Sequence, residues 1–223
     1  MDQLKKLSVK SSAWLHHTAM GAGFRACIRY TDVMVIPWLL GASQIYAYCL
    51  ARALSLFVPA VLGLMGRKLT PHLVQLARAE QQIPFRAAAA RVNLSYMMVC
   101  GAVGLIVISL APYFVQKAGE IDPVFSDVLL WLVVGQSAPV LFGATGLLMQ
   151  AVERGAFYDV LLAITAGLFF AGLWLLDPAE AVSIAQTFAA AQLAQAAICA
   201  LLLTQCGVWP GLTALFHKEI KLF

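Results

Sequence analysis

Four side chains stand out because they are charged where almost everything around them is apolar: Arg25, Arg29, Asp32 and Arg52. Arg25 and Arg29 are spaced i,i+4 and Asp32 follows Arg29 at i+3, so on a helix all three share a face. A fixed charge in hydrocarbon costs about 2.5–3.5 kcal/mol on insertion scales, so such residues face a polar cavity or a partner. Arginine's planar fork binds phosphate through paired hydrogen bonds and keeps its proton. Arg25, Arg29 and Arg52 against the single Asp32 therefore describe a net cationic cavity suited to an anionic ligand, with Asp32 tuning the charge or coupling an ion. The same residues allow a plainer reading. Arg29 and Asp32 can neutralise one another, Arg25 can extend to the headgroups, and Arg52 can close a salt bridge to Asp32.

Other chemistries lack their residues. HExxH, GxxxxGK[ST] and GxSxG are absent, and the adjacent His16 and His17 point apart on any helix. The expectation is no metal, no cofactor and no enzymatic activity. Gln136, Gln192 and Gln195 lie within apolar segments and serve either interhelical hydrogen bonding or the lining of a lumen. The five cysteines form no CxxC pair and read as small packing residues.

The elements that must hold these groups are membrane spans. Hydrophobic residues make up 61% of the 223, charged residues 12%, and the net charge is +4. Apolar runs of about 20 residues read as transmembrane helices. Apart from Arg25, Arg29 and Arg52, the basic residues cluster at span ends, and they form no stripe for a phosphate backbone, so nucleic acid is not an expected partner. The reading is all-α and polytopic: a basic leader over 1–11, then spans at about 12–40, 41–66, 87–115, 124–152, 157–176 and 181–206, with a cytoplasmic loop over 67–86 and a cytoplasmic tail over 207–223. Gly101 and Gly104 suit close helix approach, and Pro84 suits a first helical turn. With six spans, one side collects Lys5, Lys6, Lys10, Arg67, Lys68, Arg78, Arg86, Arg91, Arg154, Lys218 and Lys221, while the other has only Lys117. That asymmetry places both termini in the cytoplasm.

Two stretches carry a family resemblance. RYTDVMVIPWLLGASQIYAYCLARALSLFVPAVLGLMGRKLTPHLVQL places Arg29-x-x-Asp32 at the entry to an apolar run, then Tyr48-x-x-Ala51-Arg52 and a later proline. VLLWLVVGQSAPVLFGATGLLMQAVER places Gly135-Gln136 ahead of Gly143-x-x-Gly146 and a Leu-Leu-Met run. Together they resemble bacterial polysaccharide flippases of the O-antigen and exopolysaccharide type, relatives of the multidrug and toxin extrusion (MATE) proteins. The resemblance implies one six-helix lobe of a two-lobed MATE-like fold, similar to the C-terminal half, in the bacterial inner membrane. It further implies a lipid-linked anionic saccharide as substrate and a second six-helix lobe, from another copy or a partner chain, as companion.

Flipping a lipid-linked oligosaccharide makes no covalent bond. It needs a cavity that offsets desolvation of sugar hydroxyls and phosphate while the tail stays among membrane lipids. Arg25, Arg29 and Arg52 are the expected headgroup contacts. The alternatives are a multidrug-type cation exporter of the same fold, for which an acidic cavity would be the better match, and a non-transporting membrane scaffold.

Overall fold

A computed structural model describes residues 30–78, 82–118, 123–151, 155–176 and 180–205. Their order is α1 (Thr31–Leu39), α2 (Ala42–Ser55), α3 (Phe57–Arg78), α4 (Gln82–Ala118), α5 (Phe125–Leu141), α6 (Thr145–Ala151), α7 (Gly155–Leu176) and α8 (Ala181–Gln205), with no strand among the described residues. Helix is the only solution open to single apolar segments in hydrocarbon, where every backbone N–H and C=O must find its partner within the segment. Five stretches are long and apolar enough to cross a bilayer: 42–77, 83–117, 125–149, 158–176 and 181–205. The architecture is consistent with a multi-pass membrane protein. Its outward side chains, among them Trp38, Met98, Leu105 and Trp174, are those expected against lipid. The leader, most of the first expected span, Arg25, Arg29 and the tail lie outside the described residues.

Two boundaries differ from the sequence reading. The expected loop over 67–86 is helical at both ends: α3 runs on to Arg78 and α4 begins at Gln82. Basic residues mark a bilayer surface, but Arg67 and Lys68 are also good helix formers and need not end a helix that projects into water. The stretch 42–77 is correspondingly long, 36 residues or about 54 Å at 1.5 Å per residue, more than the hydrocarbon thickness. Leu56, between α2 and α3, keeps the rod continuous by bonding Arg52 O through its own N–H, while Ala60 N–H bonds Leu56 O. Pro84 falls in the first turn of α4, where its missing N–H costs no helical bond.

Of the first expected span, 12–40, only the end is described: α1 covers nine residues, and the chain leaves it through extended backbone at Leu40 before α2 begins. The second difference is that the expected span 124–152 is broken. α5 ends at Leu141, and Gly143 takes φ 94° before α6 starts, a backbone state open to glycine at little cost. The freed groups are satisfied locally and from a neighbour. Gly143 N–H bonds Val140 O at 2.9 Å, Thr145 Oγ1 lies 3.5 Å from Pro139 O, and Ala144 N–H donates to Asn93 Oδ1 of α4 at 2.8 Å.

The centre of the bundle is the α5–α8 pair. A Cβ built on Gly135 would come within 3.0 Å of Ala189 Cα and 3.1 Å of the Phe188 ring, so the two backbones meet as only a small residue permits. α4 closes on α5 through Gly104, 3.3 Å from Val133 by the same construction, whereas Gly101 faces open space. Connections of a few residues between successive packed helices make α3/α4, α4/α5, α6/α7 and α7/α8 antiparallel neighbours. The Arg78 and Gln82 ends of α3 and α4 thus lie at the same end of the bundle as the Ala151 and Gly155 ends of α6 and α7, and the Ala118/Phe125 and Leu176/Ala181 helix ends share the other.

Candidate functional site

Asp32 and Arg52 are brought together. Asp32 opens α1, Arg52 sits in the last turn of α2, and both are buried. Arg52 Nε lies 2.7 Å from Asp32 Oδ2, and Nη2 donates to Oδ1 at 3.4 Å, a side-on fork on the carboxylate. Tyr48, one helical turn before Arg52, donates its hydroxyl to Asp32 Oδ2 at 3.2 Å. The guanidinium packs over the Phe188 ring of α8 with Cζ 4.6 Å from the centroid, and lies 6.0 Å from that of Tyr30. A buried carboxylate is held by a fork and a phenol, and the cation by the carboxylate and an aromatic face. The open alternatives for Arg52 resolve toward the salt bridge. It does not stand in a cationic wall, because its charge is met by Asp32.

Beside this network lies a cavity of about 600 Å³ walled by α1, α3, α4, α5, α6, α7 and α8. That is the size range of small-molecule sites. Its inner end is marked by Asp32, Gln136, Gln192, Phe169 and Phe188, with Phe169 and Phe188 edge-to-face at 6.3 Å. Toward the Arg78/Gln82 and Ala151/Gly155 end it is lined by Arg67, Thr70, Tyr96 and Tyr158. The register of the two ends follows from packing: Phe188 sits against Gly135 and Arg52, while Gly66 meets Leu147 and Gly146 meets Tyr158. Arg67 is the exposed cation of the lining, one residue past Gly66.

Of the residues expected to form a site, Asp32, Gln136 and Gln192 line the cavity. Arg52 does not line it and instead braces Asp32 from behind. Gln195 is buried in α8 and is not among the lining residues. Arg25 and Arg29 lie outside the described residues.

Several contributors were not anticipated. Arg67 was assigned to a loop as a topology marker, and only the packing of α6 and α7 beside α3 places it on a cavity. Tyr96 donates to Leu62 O across the α3–α4 contact at 3.0 Å, and Asn93, one turn earlier on α4, holds the break between α5 and α6. Asn93 carried a signal that could have been used, since it is the only asparagine in the chain and a buried amide in a span needs a partner. Thr165 gave no comparable cue, and Tyr48 stood in the Tyr48-x-x-Ala51-Arg52 stretch without being read as a partner of Asp32. Thr165 Oγ1 donates to Leu161 O within its own helix at 2.7 Å, which leaves the oxygen available only as an acceptor in the cavity it lines.

No cluster of His, Cys, Asp and Glu among the described residues could hold a metal ion. No nucleophile–base pair stands among the described lining residues. The arrangement offers binding: hydroxyls, amides and aromatic faces around a space with one unneutralised cation among its described lining residues, Arg67. No family model matches this chain, and no curated protein or solved structure matches it either.

Proposed function

We propose that this chain is one helical lobe of a membrane transporter that moves lipid-linked oligosaccharide or polysaccharide precursors across a bacterial inner membrane. The carrying observation is the lining of the cavity. Tyr30, Thr31, Gln136, Thr145, Thr165 and Gln192 supply neutral hydrogen-bonding groups, Phe169 and Phe188 supply faces for the apolar side of a sugar ring, and Arg67 supplies one cation for a phosphate. The resemblance to polysaccharide flippases points the same way. A cation exporter of the same fold is less well served, because Asp32, the acidic group of the cavity lining, is already occupied by Arg52.

In this reading both termini are cytoplasmic, from the basic asymmetry, and the cavity's Arg67 end faces the cytoplasm. A second six-helix lobe, from another copy or a partner chain, supplies the opposing wall. Rocking of one lobe against the other exposes the site to either side, with no bond made or broken.

The test is binding followed by transport. Full-length chain in nanodiscs is titrated with a polyprenyl-pyrophosphate oligosaccharide and, separately, with a quaternary ammonium drug. The expected result is saturable binding of the first and none of the second, and glycan export in cells only when a second lobe is co-expressed or a homodimer forms. Saturable drug binding with no affinity for the saccharide lipid would overturn the proposal. Binding of neither would favour a scaffold.

A further inference from the structure

We infer that the cavity is polarised along its length. Arg67 at its mouth takes the phosphate of an amphiphile, while the inner end accepts uncharged sugar units and rejects acidic ones. This rests on the saccharide-lipid reading above and adds to it the orientation of the ligand and the charge class of the glycan.

The described lining carries two formally charged side chains, Asp32 and Arg67. At the inner end Asp32 holds Arg52 at 2.7 Å, so that cation is spent, and it is not among the residues that line the space. The other described polar groups of the lining toward this end are neutral: Tyr30, Thr31, Gln136, Gln192 and the Thr165 hydroxyl, whose proton is committed to Leu161 O. Amides offer both donors and acceptors, which matches sugar hydroxyls, and the paired Phe169 and Phe188 rings suit the C–H face of a hexose. A uronate or sialate at this end meets a carboxylate and, among the described lining residues, no cation beyond the one Asp32 already holds. In a water-poor site that carboxylate would stay unpaired, the costly outcome for a buried charge.

At the mouth the situation is reversed. Arg67 is exposed and forms no ion pair with another described residue. Thr70, beside it, donates its hydroxyl proton to Gly66 O at 2.7 Å, so Arg67 is the group that receives the anion. Its position toward the Arg78/Gln82 end of the bundle keeps a bound phosphate near headgroup depth. A phosphate drawn deeper would approach Asp32.

The experiment uses the full chain in nanodiscs of zwitterionic lipid and four probes. They are a polyprenyl-phosphate-linked neutral disaccharide, the same lipid bearing a uronate disaccharide, polyprenyl phosphate alone, and phosphatidylglycerol alone. The wild-type chain is expected to bind the neutral glycolipid about tenfold or more tightly than the uronate form, since an unpaired buried charge is the larger cost. Arg67→Gln should weaken the neutral glycolipid and bare polyprenyl phosphate alike, by about tenfold for a lost charge-assisted bond, and leave the neutral-over-acidic preference in place. Gln192→Leu should erode that preference without changing the affinity for polyprenyl phosphate. Circular dichroism confirms that both variants fold.

Equal binding of the two glycolipids, or an Arg67→Gln variant with unchanged affinity, would overturn the polarity while leaving the saccharide-lipid reading intact. Phosphatidylglycerol competing as well as the neutral glycolipid would mean that Arg67 reads any phosphate headgroup, and would overturn it too. Failure of the folded wild-type chain to bind either glycolipid would overturn the functional reading itself.

Discussion

Removing Arg52 should destabilise this protein strongly, and a second change that neutralises Asp32 should restore most of the loss. Both side chains are almost wholly buried, at 2% and 1% exposure, and the 2.7 Å contact between them is the main answer to the carboxylate's charge. Arg52→Ala leaves Asp32 with the Tyr48 hydroxyl at 3.2 Å. Breaking a buried pair by deleting one partner costs about 3–5 kcal/mol. Asp32→Asn alone should cost less, because the guanidinium keeps the Phe188 ring 4.6 Å away and a desolvated cation–π contact contributes about 2 kcal/mol. The double variant has no unpaired charge and should lie within about 1–2 kcal/mol of wild type, since neutral replacement of a buried pair is often nearly neutral. The measurement is a double-mutant cycle on unfolding in mixed micelles, followed by tryptophan fluorescence. Additive losses, with the double variant worse than either single variant, would refute the coupling. A ligand titration adds an independent check: Arg52 is absent from the cavity lining, so the double variant should keep wild-type affinity for the neutral glycolipid within a few-fold, and a collapse of binding in a stable double variant would return Arg52 to the ligand.

Three further outcomes are expected. Asn93→Ala should cost about 1–3 kcal/mol through the buried Ala144 N–H left without an acceptor, and amide hydrogen exchange should rise at 144 ahead of the flanking helices; unchanged exchange there would show that the break holds itself. Gly143→Ala meets φ 94° and should cost about 1–2 kcal/mol in thermal unfolding, the left-handed penalty of a Cβ, whereas a neutral result would mean that the break straightens readily. Gly135→Val should force α5 from α8, where even a Cβ comes within 3.0 Å of Ala189 Cα, and lower stability by about 1–3 kcal/mol or more for overpacking, with Gly101→Val as the harmless control because that position opens on empty space.

The existence of the five described apolar runs and the shortness of the connections between the later ones were legible in the sequence, because hydrocarbon imposes helix on any single segment of the right length whatever packs against it. The length of 42–77 was not. The depth of Asp32 and Arg52 was legible for the same reason, and with it the statement that each needed a partner or a cavity. Gly104 was readable as a packing glycine. Gly101, three residues away and chemically identical, was not distinguishable from it, since which face of α4 meets α5 is a matter of helix rotation.

The tertiary structure decided the rest. Arg52 lies twenty residues from Asp32, and spacing alone left open whether it neutralised that carboxylate or faced a ligand; the approach of α1 to α2, with Phe188 arriving from α8, settles it for the salt bridge. The interruption at 142–144 escaped the hydropathy pattern because proline and glycine are tolerated in membrane helices wherever a neighbour re-satisfies the freed backbone groups, and here that neighbour is Asn93, fifty-one residues away. Arg67 marked a membrane boundary by composition and borders a cavity by packing. Composition records how much a residue costs in the bilayer, while its partner depends on which helices meet, and in this chain that is set by contacts such as Gly135 against Ala189 that no local pattern encodes.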